Sequence, residues 1–425
     1  MNALKDIWVR IKQHPISRIG PGLITGVADD DPSGIVTYSQ AGAQFGLNML
    51  WTMPFAYPLM SAVQSLCARI GRVTGRGLAD NIKRSFHPAI LFSVVFLLLC
   101  ANILNIAADV AAVGEVAELV TGLNRHLMSA GFVLISLALQ IFVPYHRYVF
   151  FLKWLTLSLL AYAAVLFTVH VPWGEVLLRT FWPKIGIDSN TAAVVVAIFG
   201  TTISPYLFFW QASEEVEDMK ATAGAKPLLI SAHAAAPELR RISWDTWSGM
   251  LYSNLTSYFI ILATALTLHT AGITDITTAA QASSALRPLA GEFAFILFAT
   301  GIIGVGLIGV PVLAGSAAYA FAETMGWQWG LERTVKQAKG FYGIIAFSVL
   351  IALAIQYSPI SPMKALFWSA VINGVVAVPL LIVIMLLASK ASVMGQHVAT
   401  PSLKILGWLT TVVMGFATLW LFIPA

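Results

Sequence analysis

Residues 29–34 read Asp-Asp-Asp-Pro-Ser-Gly, in the middle of an otherwise apolar segment that runs from 19 to 46. An ionised acid at the centre of a bilayer costs about 2.5–3.5 kcal/mol on insertion scales. Pro32 has no N–H to donate, and Gly34 tolerates backbone angles that break a helix. Unwound backbone at membrane depth survives only where it is buried in protein or lines a wet cavity. This stretch therefore predicts a broken helix whose polar centre faces the interior of the protein.

The rest of the chain has the composition of a membrane protein. Charged residues make up 11% of the 425 positions and hydrophobic residues 58%, whereas soluble domains carry about 25% charge. A spanning helix needs about 20 mostly apolar residues. We therefore expect a single polytopic all-α domain in contact with the lipid bilayer. The candidate spans are 19–46, 48–70, 89–120, 127–146, 148–170, 190–212, 245–270, 288–322, 340–358, 363–389 and 402–423.

The distribution of positive charge predicts the orientation of these eleven spans. Loops rich in Lys and Arg stay on the cytoplasmic side. If the N-terminus is cytoplasmic, 20 of the 25 Lys and Arg residues lie inside and Ala425 lies outside. This bias also accounts for the net charge of +5, so we expect no nucleic-acid partner. The residues left on the outside are Arg125, Arg179, Lys184, Arg287 and Lys364.

A second span is interrupted in the same way as the first. Residues 200–206 read Gly-Thr-Thr-Ile-Ser-Pro-Tyr, with Pro205 in the middle of the sixth span. A single proline in a membrane helix usually makes only a kink, but two interrupted spans five helices apart are typical of inverted-repeat transporters. In such proteins the binding site lies at the bilayer midplane, between the breaks. Freed carbonyls and a carboxylate in that position can replace the water around a cation.

Polar residues in two further spans are expected to face the interior. Asn102, Asn105 and Asp109 recur at spacings of three and four, so they share one face of the third span. Asn373 lies among apolar residues in the tenth span. A purely structural hydrogen-bonding role for the third-span stripe is as compatible with the sequence as a functional one.

Four stretches in and just after the first two spans form a recognisable set: residues 31–34 (Asp-Pro-Ser-Gly), 40–46 (Gln-Ala-Gly-Ala-Gln-Phe-Gly), 64–69 (Gln-Ser-Leu-Cys-Ala-Arg) and 74–79 (Thr-Gly-Arg-Gly-Leu-Ala). Together they resemble the signature of the natural resistance-associated macrophage protein (Nramp) family. The resemblance is dense over about 18–80 and recognisable around 200–213. It implies uptake of divalent metals and a LeuT-type fold, with helices 1 and 6 broken at the midplane. Its repeats would cover about 19–170 and 190–389, with an extra helix at 402–423.

The motifs depart from the family pattern at several positions. Family members usually carry Asp-Pro-Gly-Asn in helix 1 and Met-Pro-His in helix 6. Asp31 keeps the carboxylate, whereas Gly34 stands where the asparagine ligand would be. Ser204 replaces the methionine and Tyr206 the histidine, while Thr201 matches a position that usually offers its backbone carbonyl.

Residues that the family uses for proton movement are also changed. Asp109 matches one family acid in helix 3, but Asn102 and Ala112 stand where two further titratable groups are expected. Gln211 occupies another usual histidine position. The resemblance is therefore greatest to the Nramp-related magnesium transporters, and it argues against obligatory proton coupling.

These changes favour a hard cation as the substrate. A thioether favours transition metals, whereas carboxylate, hydroxyl, carbonyl and water oxygens suit Mg²⁺ and Mn²⁺. Mg²⁺ also tends to keep several of its waters, which suits the larger space left by Gly34 and Ser204. We expect alternating-access transport of Mg²⁺, with Mn²⁺ as a further substrate, at Asp31, Gly34, Thr201 and Ser204. The residues expected to line the cavity are Asp30, Thr37, Tyr206, Gln211, Asn373, Asp109 and Asn102.

Other functions remain open at this stage. One is a proton-coupled Mn²⁺ or Fe²⁺ symporter in which Asp109 relays the proton. Another is a LeuT-type carrier of an organic solute, although residues 29–31 would repel an anionic group. A non-transporting membrane sensor is a third. We expect no enzyme and no resident cofactor, since the sequence shows no nucleophile–base pair or nucleotide loop, and two cysteines cannot form a Cys-rich metal site.

The localisation follows from these expectations. We expect a multi-pass protein of the bacterial inner (cytoplasmic) membrane, with the N-terminus cytoplasmic. The oligomeric state is left open by the sequence, and a monomer is compatible with it.

The argument from ligand softness predicts the effect of restoring a thioether in helix 6. Ser204→Met should shift preference from Mg²⁺ towards softer ions such as Cd²⁺, because sulfur binds these ions better than a hydroxyl does. Competition between Mg²⁺ and Cd²⁺ for uptake into proteoliposomes measures the shift. An unchanged ratio of the two uptake rates would remove the argument.

Overall fold

The computed structural model describes residues 20–143, 157–186, 188–357, 359 and 361–422. Within these ranges the secondary structure is helical, without β-strands. The predicted cytoplasmic N-terminus and the external Ala425 lie outside the described residues. The helices of the first half are α1 (Pro21–Asp29), α2 (Pro32–Phe45), α3 (Thr52–Thr74), α4 (Leu78–Ser85), α5 (Pro88–Thr121), α6 (Arg125–Phe142), α7 (Leu160–Val165) and α8 (Trp173–Phe181).

The second half follows the same order of long and broken helices. It ends at Trp420, close to the end of the last predicted span. A π-helical turn, Ala265–His269, extends α11. The helices are α9 (Ser189–Thr202), α10 (Pro205–Ala221), α11 (Ala235–Thr264), α12 (Ala279–Ser283), α13 (Arg287–Ala290), α14 (Ala294–Met325), α15 (Lys339–Ile355), α16 (Pro362–Ser389), α17 (Ala391–Met394) and α18 (Pro401–Trp420).

Long apolar helices account for most of the predicted spans. In the part of the chain that the structure describes, seven helical stretches are long and apolar enough to cross a membrane. Further predicted spans coincide with the α1–α2 pair, α3 and α15, and part of the span at 148–170 lies outside the described residues. The stretches are Pro88–Thr121, Arg125–Phe142, Ser189–Ala221, Ala232–His269, Ala279–Met325, Pro362–Ser389 and Pro401–Trp420.

The broken sixth span lies at the centre of the bundle. In its most apolar 18-residue stretch, 94% of the residues are buried. The corresponding share is 28% in both Arg125–Phe142 and Pro401–Trp420. The latter two helices therefore expose apolar side chains at the periphery, where lipid would contact them. A polar break can be tolerated in Ser189–Ala221 because the surrounding helices shield it.

Both predicted helix breaks are present, and they have the same local geometry. Helix α1 ends at Asp29 and α2 begins at Pro32, with Asp31 extended between them at φ −68° and ψ 171°. Helix α9 ends at Thr202 and α10 begins at Pro205, with Ser204 extended at φ −76° and ψ 130°. In each case proline occupies the first helical position, where its missing N–H leaves no hydrogen bond unmade.

Glycines bring the broken helices close to their neighbours. A side chain at Gly26 in α1 would overlap the backbone of Gly249 in α11. A side chain at Gly200 in α9 would likewise overlap Ala370 and Gly374 in α16. Small residues allow membrane helices to pack with their backbones in contact. The two half-helices that end at the breaks are therefore held at short range by α11 and α16.

The contact between α1 and α11 predicts a large effect of substitution. Gly26→Val should lower the free energy of unfolding by about 1–3 kcal/mol, because the new side chain overlaps backbone that cannot rotate away. Gly131→Val in α6 is the matched control, since a side chain at Gly131 meets nothing within 4 Å. The measurement is the thermal unfolding midpoint of each variant in one detergent. Equal midpoints for the two variants would contradict the packing.

Candidate metal site

Asp31 lies at the first break and accepts four hydrogen bonds. Its Oδ1 accepts from the Ser33 hydroxyl at 2.6 Å and from the Gly34 backbone N–H at 2.8 Å. Its Oδ2 accepts from the Asn105 amide at 3.0 Å and from the Tyr206 hydroxyl at 3.1 Å. A buried carboxylate is tolerated when donors of this kind replace its water. The donors come from α2, α5 and α10, so this one side chain joins three helices.

The local sequence explains why this carboxylate points inward. Asp31 is the N-cap of α2, and its bond to the Gly34 N–H is the capping interaction that aspartate commonly makes. The positive end of the α2 dipole adds to the stabilisation of the negative charge. A side chain at Gly34 would come 3.1 Å from the Thr201 hydroxyl oxygen. Glycine at this position therefore brings α2 against the end of α9, across from the second break.

The second break presents oxygens from Thr201 and Ser204. The Ser204 hydroxyl donates to the backbone oxygens of Gly200 at 3.0 Å and Thr201 at 2.5 Å. Because its single hydrogen is used in this way, the Ser204 oxygen keeps its lone pairs free. The Thr201 hydroxyl oxygen is buried and has no hydrogen-bond partner among the described residues. These atoms can act as neutral hard ligands.

Tyr206 connects the two breaks directly. Its hydroxyl is 3.1 Å from Asp31 Oδ2 and 3.2 Å from the backbone oxygen of Ala28 in α1. The ring is completely buried. Tyrosine at this position therefore supplies a hydrogen-bond donor to the carboxylate at the site. Asp109 in α5 is also fully buried, and its two carboxylate oxygens have no hydrogen-bond partner among the described residues.

The other two acids of the triple-aspartate motif face α11. Ser253 Oγ lies 2.6 Å from Asp29 Oδ2 and 3.0 Å from Asp30 Oδ1, and Ser257 Oγ lies 3.3 Å from the same Asp30 oxygen. Asp29 and Asp30 are no more than 1% exposed. Asp30 was expected to line the cavity beside Asp31. The structure instead places the Asp30 carboxylate against α11, whereas the hydrogen bonds of Asp31 go to α2, α5 and α10.

Two of the expected cavity residues are bonded to neighbouring helices. The Gln211 side-chain oxygen accepts from the Thr25 hydroxyl at 2.5 Å, about one turn before the end of α1. The Asn102 amide donates to the Leu313 backbone oxygen and to Ser316 in α14, both at 2.8 Å. These contacts hold α10 on α1 and α5 on α14, and neither reaches Asp31.

Thr37 and Asn373 are the remaining expected cavity residues. Both are buried, and the Thr37 hydroxyl and both polar atoms of the Asn373 amide have no hydrogen-bond partner among the described residues.

Asn105 contacts Asp31 from another helix and was not assigned to the site from the sequence. It was visible there only as part of the Asn102, Asn105 and Asp109 stripe. The structure separates the two asparagines, because the Asn105 amide reaches Asp31 whereas the Asn102 amide reaches α14. Ser369 in α16, whose hydroxyl lies 2.7 Å from the Asn105 side-chain oxygen, had no distinguishing signal in the sequence.

The available ligands define what kind of ion could bind. In the ranges that the structure covers, no three His, Cys, Asp or Glu side chains converge as a metal-binding group. A cation between the breaks would meet the Asp31 carboxylate together with neutral hydroxyl and carbonyl oxygens. Such a set suits a hard ion that retains part of its hydration. Asp31, Thr201 and Ser204 are each 1% exposed, so this site is closed to bulk water.

Comparison with known proteins identifies relatives of the whole chain. The family model described as natural resistance-associated macrophage protein-like (Nramp) matches residues 22–424. A protein named divalent metal cation transporter MntH from Acidiphilium cryptum is 24% identical over 386 residues, which cover 84% of this chain and 82% of that protein. Its namesake from Klebsiella pneumoniae is 23% identical over 424 residues, covering 96% and 94%.

Solved structures confirm the expected fold. A mutant of the manganese transporter of Eremococcus coleocola superposes with a TM-score of 0.74 at 16% identity, covering 95% of this chain and 86% of that one. Mhp1, a nucleobase-cation-symport-1 family transporter, gives a TM-score of 0.51 at 14% identity, covering 95% and 92%. The all-helical fold is therefore LeuT-type, and its first and sixth spans are the broken ones.

The contacts of Ser253 predict that it stabilises the buried acid pair. Ser253→Ala should lower the free energy of unfolding by about 1–3 kcal/mol, because Asp29 and Asp30 lose a buried donor. The control is Ser248→Ala on the same helix, whose exposed hydroxyl donates to the Asp245 backbone oxygen. Thermal unfolding in one detergent compares them. A Ser253→Ala midpoint as high as that of Ser248→Ala would contradict the assignment.

Proposed function

Because the chain belongs to the Nramp family, we propose that it carries a divalent metal ion across the membrane by alternating access. The observation that supports this most directly is that the buried carboxylate of Asp31 lies at the point where the breaks of two helices meet. Its negative charge attracts the ion, and the uncoiled backbone on either side supplies oxygens. The ion is the transported substrate and is not a resident cofactor.

We assign the ion's ligands to Asp31, Thr201 and Ser204, with Gly34 allowing α2 to approach the Thr201 hydroxyl closely. The Thr201 hydroxyl lacks a partner in the described structure, and the Ser204 oxygen keeps its lone pairs. Since no sulfur or imidazole ligand is among these groups, a hard ion is preferred. We propose Mg²⁺ as the main substrate and Mn²⁺ as a second one.

Transport without obligatory proton coupling is part of this proposal. At two of the family's titratable positions, this chain has the amide of Asn102 and the methyl of Ala112. Asn102 uses its amide to bind α14. Neither of these two positions can therefore take up a proton.

Proton-coupled Mn²⁺ symport is the second candidate, and two observations favour it. The relatives in solved structures carry the name manganese transporter, and Asp109 remains as a buried acid in α5. The two candidates differ in a measurable way. Symport acidifies the lumen of a proteoliposome during metal influx, whereas uncoupled Mg²⁺ transport does not.

The proposed topology follows the two breaks. The repeats cover about 19–170 and 190–389, and the helix at 402–423 is additional. We place the protein in the bacterial inner membrane with its N-terminus in the cytoplasm. Rocking of one repeat against the other would expose Asp31 to each side in turn.

The role of Asp31 predicts the effect of removing its charge. Asp31→Asn should abolish Mg²⁺ and Mn²⁺ influx into proteoliposomes, because the amide keeps the oxygen that caps α2 but no longer attracts a cation. Asp188→Asn is the matched control, since Asp188 caps α9 by accepting from the Thr191 N–H at 2.9 Å and asparagine is an equally good cap.

Flux of each ion and lumenal pH are recorded together. We expect the Asp188→Asn variant to transport like the wild type, without acidification. Undiminished flux in the Asp31→Asn variant would overturn the assigned site, and lumenal acidification that tracks metal influx would favour the symporter.

A further inference from the structure

Asn105 lies between the site carboxylate and α16 with both ends of its amide bonded. The amide nitrogen donates to Asp31 Oδ2 at 3.0 Å, and the amide oxygen accepts from the Ser369 hydroxyl at 2.7 Å. Asn105 is completely buried and Ser369 is 3% exposed. The amide is therefore held in place by one protein partner on each side.

The Ser369 hydroxyl can serve either orientation of that amide. Its oxygen lies 2.7 Å from the Asn105 side-chain oxygen and also 2.7 Å from the Leu366 backbone oxygen. A hydroxyl has one hydrogen to donate, and its oxygen can also accept. If the hydrogen goes to Leu366, the serine oxygen can accept from the Asn105 amide instead. A half-turn of the amide therefore keeps Ser369 hydrogen-bonded.

Asn102, one turn earlier on the same face, has no such freedom. Its amide donates to the Leu313 backbone oxygen and to Ser316, whose hydroxyl in turn donates to Leu313 at 2.9 Å. A carbonyl oxygen has no hydrogen to offer. A half-turn of Asn102 would thus place two oxygens against each other, and its orientation is fixed.

Tyr206 also has a second acceptor within reach. Its hydroxyl lies 3.2 Å from the Ala28 backbone oxygen as well as 3.1 Å from Asp31. Both donors on Asp31 Oδ2 can therefore release that oxygen to a cation and remain hydrogen-bonded. The donors on Oδ1, Ser33 and Gly34, belong to the same turn as Asp31 and have no need to move.

We infer that Asn105 is a ligand of the transported ion, which it binds through its side-chain oxygen after a half-turn of the amide that Ser369 accommodates. In the ion-free site the amide N–H stabilises the Asp31 charge; in the loaded site the amide oxygen faces the cation. Asn105 thereby supplies from α5 the amide oxygen that is missing at Gly34. This inference rests on the proposed function, since it requires a divalent cation at Asp31.

The test is binding of Mn²⁺ and Mg²⁺ to the purified full-length chain, measured by titration calorimetry. Asn105→Leu should weaken binding by about tenfold or more, the scale expected when an oxygen next to a metal site is lost. Asn105→Asp should bind at least as tightly as the wild type, because it keeps an oxygen that faces the cation. Ser369→Ala should weaken binding less than Asn105→Leu.

Asn254→Leu is the matched control for replacing a buried asparagine. Asn254 is 6% exposed in α11, and its amide contacts the sulfur atoms of Met53 and Met60. This variant should bind both ions like the wild type. Thermal unfolding shows whether each variant is folded. If Asn105→Leu does not fold, the binding affinities of Asn105→Asp and Ser369→Ala test the inference.

The outcomes are distinguishable. Wild-type affinity in Asn105→Leu would overturn the inference. An Asn105→Asp variant that binds as weakly as Asn105→Leu would also overturn it, because Asn105 would then act only as a hydrogen-bond donor to Asp31. A wild-type protein that binds neither ion would instead overturn the proposed function itself.

Discussion

The structure depends on keeping one negative charge, that of Asp31, buried where two helices are interrupted. A carboxylate without water is tolerated only if donors surround it. Here α2 provides two through its own first turn, and α5 and α10 provide one each. The breaks are possible because proline begins each second half-helix, and glycines let α1 and α9 pack closely against α11 and α16. The polar centre is thus part of the packing of the bundle.

The features that sequence could predict are those determined locally. Both breaks were expected because Pro32 and Pro205 lie in polar stretches of two spans that are five helices apart, and both breaks are present. The inward orientation of Asp31 followed from the energetic penalty for exposing it to lipid. The family resemblance of the first two spans led to the LeuT-type fold, which the solved structures confirm.

Other features depend on which helices become neighbours, and spacing along one helix does not contain that information. Asn102 and Asn105 share a face of α5, but one bonds to α14 and the other to Asp31. Asp30 and Asp31 are adjacent in sequence, yet Asp30 bonds to Ser253, 223 positions away. Ser369 contacts Asn105 across 264 positions. Such pairs are created by the tertiary fold, and a serine in an apolar helix gives no sign of them.

Four hydrogen-bond donors occupy the lone pairs of Asp31 that a cation would use. A bound ion must therefore replace some of these donors on the carboxylate. The most direct measurement is anomalous diffraction from crystals soaked in Mn²⁺, at the manganese absorption edge. The account predicts a peak between the Asp31 carboxylate and the Thr201–Ser204 segment. A peak on the far side of Asp29 and Asp30, against Ser253 and away from Asp31, or a fully loaded protein with no peak at Asp31, would contradict it.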